Sequence, residues 1–537
     1  MKQKRVLYYA IIFITGILVC TGVQIATAES NDAKEHCKLA KEHIAGEELD
    51  AAMDEYKKAI SIDANLAEAH AGMGYIYLLK VEIDSAVENL SKAIELDPEN
   101  GETHRNLSSA YIAKGDIKKA SEELKKVIEL NPEDASAHNN LGQLYSLQGV
   151  TNLALREYKE AIRLKPDDVD SHLNLAMIYF RKKAIKEAIE EFDVVLKINP
   201  NHAEAHRDLG AVYGTIGDLD KSSTELKKAL ELDPKDARTH NYMAMAYHLK
   251  GLHDDSISEF KTALSLDPDY ADAHFNMANA YYNEAHKDLN KPLLNQALKE
   301  YKEVVRCDPR HAKAHSMLGH LYMHEGDMEM AITEGDTALS INLNSAELHA
   351  NLALAYIAGN YYSEAIDEVI LAVSLNPRYQ WAHSLKGHAH YFLEGLDRAL
   401  EAYDVALSIE PNNPYYILSK YLTLIRYERS DEAKKFLAEA EEKLAEEKVK
   451  KSSSTATWSY NLVRYCAGKL SEGRLLARAT GPWEKGGAYF YIGSLKLLQG
   501  DTEAAKQNFL QCIKTNTSCS SEYVRASIEL KILESSK

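Results

Sequence analysis

The chain has 537 residues, with 81 Asp and Glu against 63 Lys and Arg, a net charge of −18 and six cysteines. So acidic a balance argues against a nucleic-acid interface, which needs a basic face. The cysteines are too few and too scattered for a disulfide framework: with Cys20 set aside, Cys37, Cys307, Cys466, Cys512 and Cys519 remain, an odd number. A local Cys512–Cys519 bridge is the one pairing left open.

The N-terminus carries Lys2, Lys4 and Arg5, then an apolar run from Val6 to Ile25, then Ala26-Thr27-Ala28. A basic start, an apolar middle and an A-x-A end describe a secretory signal peptide over residues 1–28. The apolar run is also long enough to span a bilayer as a helix. An uncleaved anchor, with a membrane tether through residues 6–25, is therefore the alternative. Cys20 follows Val19 rather than a small residue, which argues against lipoprotein processing. Either reading places the body outside the cytoplasm, and the periplasm is the expected compartment.

Residues 33–413 repeat. Prolines recur at one constant interval, at Pro98, Pro132, Pro166, Pro200, Pro234 and Pro268, and return at Pro309, Pro377 and Pro411, with Leu343 in the vacant place. Slots are counted within each repeat so that this proline falls in slot 32. Slot 8 is small throughout (Gly74, Ser108, Gly142, Ala176, Gly210), and so is slot 20 (Ala86, Ala120, Ala154, Ala188, Ser222). Small residues belong where two antiparallel helices cross closely. Slot 11 is Tyr in nine of eleven repeats, a large ring to bury with a hydroxyl to spare. The proline stops the second helix. Seven residues are inserted between Tyr281 and Ala297, about two helical turns, so longer helices would keep their buried faces in phase. Gly335 in slot 24 of the ninth repeat and Lys386 in slot 7 of the eleventh depart from the pattern.

A helix–turn–helix period of about 34 residues resembles the tetratricopeptide (TPR) repeat. The resemblance implies an all-α fold: a TPR solenoid, a right-handed superhelix of antiparallel helix pairs, here eleven of them. Each pair is stabilised by stacking on its neighbours. After Pro411 the register degrades. Residues 414–447 form a further, degenerate helical pair, and 448–457 (KVKKSSSTAT) reads as a linker. Residues 458–519 hold TPR-like repeats, and residues 520–537 a capping helix. The tail motifs Y-Y-x-L, W-x-x-N-L-V, Y-F-Y-I-G and E-Y-V-R resemble the C-terminal block of bacterial envelope TPR proteins of the NlpI lipoprotein type. Those are adaptors for hydrolases and proteases, which implies a bacterial envelope setting.

Slot 4 is His in all eleven repeats, from His36 to His383. One residue per repeat at a fixed slot is what packing produces, so these are read as structural, half-polar rings. On that reading His172→Tyr should leave the fold intact. His320 and His324 lie one turn apart on one helical face. With His286, His311 or Glu325 they could form a surface metal site, and the alternative function is an accessory or metal-binding protein of an envelope enzyme complex. No catalytic motif, phosphate loop or cofactor signature is present, so an enzyme is not expected.

In the TPR fold the first helices line the concave face, and slots 5 and 6 point into it. Slot 6 reads Asn106, Asn140, Asn174, Asp208, Tyr242 and Asn276; slot 5 adds Arg105, Asn139, Arg207 and Asn241. Asn offers both a donor and an acceptor and can pair with an extended peptide backbone. The expected function is a non-catalytic scaffold that binds proteins or extended peptides along this groove.

Overall fold

The computed structural model describes residues 31–288, 291–451, 454–515 and 521–535. Among these every regular element is a helix. The signal or anchor segment, Cys20 and Cys519 lie outside the described residues, and among the described ones no helix is long and apolar enough to cross a membrane.

Two compact units are distinguished, one through Pro234 and one from Lys235. The first holds six helix pairs: α1 (31–45) with α2 (Leu49–Ile62), α3 (Ala67–Leu79) with α4 (Ile83–Leu96), α5 (Gly101–Lys114) with α6 (Ile117–Leu130), α7 (Ala135–Leu147) with α8 (Thr151–Leu164), α9 (Val169–Arg181) with α10 (Ile185–Ile198), and α11 (Ala203–Thr215) with α12 (Leu219–Leu232). Each pair packs on the next in solenoid fashion.

The same local devices recur from pair to pair. A side chain caps the first helix: Asp134 accepts from the Ala137 N–H, and Asp168 from that of Ser171. The turn to the second helix passes through a left-handed residue, Gly115 (φ 80°), Gly149 (74°) and Gly217 (80°) in the first unit. Repeats without the glycine keep the conformation, at Val81 (62°) and Lys183 (60°). Across the pair the small columns admit a large partner. A Cβ on Gly142 would fall 2.7 Å from the Tyr158 ring, and one on Gly210 would fall 2.7 Å from Leu226 Cγ. Tyr158 and Leu226 are consequently buried at the centre of their pairs.

The second unit opens with α13 (Ala237–Leu249) and α14 (His253–Leu266), then α15 (Ala271–Asp288) and α16 (Lys291–Cys307). The inserted residues lengthen the last two to 18 and 17 residues, against 13 or 14 in ordinary repeats, as the in-phase argument expects. The pairs α17 (Ala312–Glu325)/α18 (Met328–Ile341), α19 (Ala346–Ala358)/α20 (Tyr362–Leu375) and α21 (Gln380–Phe392)/α22 (Leu396–Ile409) follow. The space left by Gly335 is taken by Leu352 of the next repeat, whose Cδ1 lies 2.8 Å from where a Cβ would sit.

Beyond them come α23 (Pro414–Arg426), α24 (Ser430–Lys451), α25 (Ser454–Cys466), the single turn α26 (Glu472–Leu476), α27 (Pro482–Leu498), α28 (Thr502–Lys514) and α29 (Ser521–Ser535). The stretch expected as a linker is mostly helix: α24 runs through Lys451 and α25 begins at Ser454, while residues 452–453 lie outside the described set. KVKK contains no helix breaker, so nothing ends α24 sooner. The terminal helix also does more than cap. It packs on α27 and α28, and it reaches back to α19 as well.

Candidate functional site

The slot-4 histidines are the most regular polar feature. In nine repeats Nδ1 lies 2.5–2.7 Å from a glutamate of the paired second helix: Glu55, Glu123, Glu157, Glu191, Glu225, Glu259, Glu300, Glu334 and Glu368. In most of them Nε2 meets the backbone carbonyl that closes the preceding repeat, as His172 meets Pro166 at 3.1 Å. The carbonyl matters here rather than the proline ring, since Ala64 serves His70 and Leu343 serves His349 at 3.1 Å each. His70 faces Asn89 in place of a glutamate, and slot 23 is Ala402 opposite His383.

Carboxylate and carbonyl are both acceptors, so a ring between them satisfies both only when it carries two protons. The hydrogen bond that His172 donates to Glu191 is the chief reason its pKa is held above the ordinary value. Burial alone would lower His274, but Glu300 and the Pro268 carbonyl hold it above the ordinary value too. The rings thus join the two helices of a pair through hydrogen bonds, and at His172 and His274 a glutamate that the sequence reading missed favours the protonated form. The glutamate lies well along the chain on another helix, where it passes for an ordinary surface acid.

On the inner face of the first unit the candidate groove residues sort into two rows. Slot 5 is largely internal: Asn139 and Arg207 are buried, and Arg105 pairs with Asp134. Arg207 is bound by Glu204 and Asp208 at 2.7 Å each. Slot 6 is half-exposed, but it is not wholly given to a ligand, because Asn174 Nδ2 donates to Asn139 Oδ1 of the preceding repeat at 3.1 Å. In the second unit Asn276 donates to Asn241 at 3.1 Å, and Asn351 to Ser316 at 2.9 Å, in the same relation. These bonds staple neighbouring first helices, and Asn276 Nδ2 also donates to Met245 Sδ at 3.3 Å. Asn140 and Asn106 are half-exposed on that face. Asn106 lines a cleft of about 420 Å³ between the first helices of the first three repeats, with Lys41, Glu68, Asn100, Glu102 and Tyr75. Lys41 and Glu68 pair across it at 2.6 Å. Gly72 opens its floor: a Cβ there would collide with the Tyr56 ring.

The inner face of the second unit is different, because α29 lies on it. Arg525, 2% exposed, has its guanidinium 5.5 Å from the Tyr391 ring of α21 and 4.7 Å from the Phe490 ring of α27. Its Nη1 donates to Ser419 Oγ of α23 at 2.9 Å, and that hydroxyl lies 3.5 Å from His388 Nε2. Burial, and then the charge of Arg525, hold His388 well below its ordinary pKa, so it is neutral. Glu529 faces Arg426 at 3.9 Å. Val524 and Ile528 join the apolar cluster of Leu354, Leu385 and Ala389, while Ala526 and Leu530 join that of Leu422 and Phe490.

Among the described residues no three His, Cys, Asp or Glu side chains gather as an ion would require. Burial holds His320 below its ordinary pKa while Asn351 bonds it. His311 instead caps α17, accepting from the Ala314 N–H at 3.1 Å, and packs its ring on Phe275. The side chain of His286 lies outside the described set.

Helix pairs of constant period, small crossing columns and a polar inner face define a repeat scaffold. Models described as "TPR repeat" match residues 40–81, 108–149, 215–251 and 246–284. Models described as "Tetratricopeptide repeat" match 147–207, and again 67–100, 312–345 and 487–519. The chain belongs to the tetratricopeptide-repeat family. Similar solved structures include a tetratricopeptide repeat protein from Parabacteroides merdae, at 22% identity and TM-score 0.41, covering 48% of this chain and 98% of that one. Pseudomonas aeruginosa PilF matches at 19% and 0.36, over 40% and 99%. YrrB, titled a TPR protein with an unusual peptide-binding site, matches at 25% and 0.28, over 36% and 96%. TPR arrays are protein-interaction scaffolds, and that is the level at which the family assigns this one.

Proposed function

We propose that this chain is a non-catalytic, extracytoplasmic adaptor that holds an extended segment of a client protein along the inner face of its first unit. The observation that carries the reading is the cleft at Asn106. There half-exposed amides and charged groups of both signs line first helices of successive repeats. The compartment rests on the sequence of residues 1–28, and the envelope setting on the tail motifs.

The test begins with a pull-down from envelope extract using the chain as bait, followed by affinity for the recovered peptide. Asn106→Ala with Asn140→Ala should remove about 1–3 kcal/mol of binding, roughly 5- to 150-fold, and leave the melt unchanged. Asn174→Ala should lower both, because it also breaks the staple to Asn139. Unchanged affinity in the double variant would place the client elsewhere. Mass spectrometry of the native N-terminus tests the compartment: a start at Glu29 supports secretion, and an intact Met1 supports the anchor.

A further inference from the structure

The helix α29 is out of keeping with the rest of the array. Among the described residues the long helices pack mainly on their neighbours in sequence, as a solenoid requires, and α29 does so on α28 and α27, but it alone also reaches a helix as far upstream as α19. α29 follows a completed pair, α27/α28, and lies across first helices of four different repeats. Val524 and Ile528 meet the α19 and α21 side of the face, Arg525 meets Tyr391, Ser419 and Phe490, and Glu529 meets Arg426. Its buried residues are Glu522, Val524, Arg525, Ala526, Ile528, Glu529 and Leu530. Three of the seven are charged, and buried charges add little net stability while fixing which partner fits and in what register. An arginine between two aromatic rings, with a serine at its tip and a glutamate one turn on, is how a groove reads a helix, apolar on the flanks and specific at the centre.

We propose that the inner face of the second unit is a helix-binding groove, that α29 is its intramolecular occupant, and that a partner must displace α29 with a helix of the same chemistry. That helix carries small aliphatic residues on its docking face, with an arginine followed four residues later by a glutamate. The groove is therefore closed to clients until it is exchanged. This inference stands apart from the asparagine reading of the first unit, and either can fail alone.

α29 has 15 residues, a length at which an isolated helix is marginal in water, so exchange is the natural readout. In the full chain, a protease site is placed between Thr515 and Ser521 and cut, and a fluorescent synthetic peptide of residues 521–535 is added. The expected result is a rise in anisotropy as the labelled peptide replaces the severed helix, with the melt of the cut chain retained while that helix is bound. A peptide carrying Arg525→Ala should bind at least tenfold more weakly, and so should the native peptide on a chain carrying Ser419→Val. The inference is overturned if the severed helix never exchanges short of global unfolding, or if the Arg525→Ala peptide binds equally. Should the cut chain unfold on cleavage, α29 is a structural element and the proposal is wrong. The uncut chain gives an independent measurement. Arg525→Ala within it should admit the labelled native peptide at least tenfold better than the native chain does, and equal uptake would overturn the inference. The native chain should also run as a monomer at the same concentrations; a dimer joined by swapped α29 helices would overturn the intramolecular assignment.

Discussion

The imidazole of His172 has two hydrogens to give and two acceptors that take them, Glu191 and the Pro166 carbonyl. This changes what substitutions there should do. Taken as a bare ring slot, the position would tolerate His172→Tyr as one ring for another. A phenol brings a single donor, so one of two largely buried acceptors would be orphaned, at about 1–3 kcal/mol. Glu191→Ala should cost a similar amount, whereas Glu191→Gln, which can still accept from Nδ1, should cost less; chemical denaturation of the three variants checks the order. The pH dependence follows from the direction of the shifts. The folded-state pKa values of His172 and His274 are raised above 6.5, so their contribution is whole below that value and lost as pH rises through the raised ones. Melting temperature should therefore fall from mildly acid to mildly alkaline pH, and less steeply in His172→Phe. The column of histidines was legible in the sequence because it is unbroken. Its partners were not, since pairing between the two helices depends on where the second lies beside the first.

At the scale of the helix pair, the turn between helices demands a left-handed residue whatever the sequence supplies. Val81 is forced into φ 62° while its side chain is exposed. A β-branched residue is poorly suited to that region, and roughly 1–2 kcal/mol is held there. Val81→Gly should therefore stabilise the first unit by about 1 kcal/mol, read as a raised denaturation midpoint, despite the usual entropic cost of glycine. The opposite change, Gly149→Val, should destabilise by a similar amount. Pair boundaries, crossing columns and the lengthened α15 and α16 could all be read from the sequence, because each depends on one repeat alone. The staple from Asn174 to Asn139 could not. Slot 6 meets slot 5 of the preceding repeat only through the lean of successive first helices, and no single repeat encodes that lean.

At the scale of the whole molecule, the two units differ in what occupies their inner faces. The first presents amides and a charged cleft; the second is filled by the chain's own last helix. The sequence marked α29 as helical but held no sign that it would also dock several repeats upstream, on α19, α21 and α23. Docking should also depend on pH. Burial raises Glu522, opposed by Arg525, Ser521 and Tyr491. Burial likewise raises Glu529, opposed by Arg426, Arg525 and Tyr391. A raised carboxyl favours the docked state at low pH and disfavours it as pH climbs through the raised value. Hydrogen exchange in residues 521–535, corrected for intrinsic rate, should thus show more protection near pH 5 than near pH 8. Equal protection would mean that the facing cations fully compensate both acids.

The doubly protonated rings have a thermal consequence. The folded chain holds protons at His172 and His274 to a higher pH than the unfolded chain does, because only the fold supplies their acceptors. Unfolding is then a proton-releasing reaction, and the solution must absorb what is released. In calorimetry the heat of unfolding should vary with the ionisation enthalpy of the buffer, differing between phosphate and Tris at one pH. The slope of that variation counts the protons released on unfolding, and it should shrink in His172→Phe.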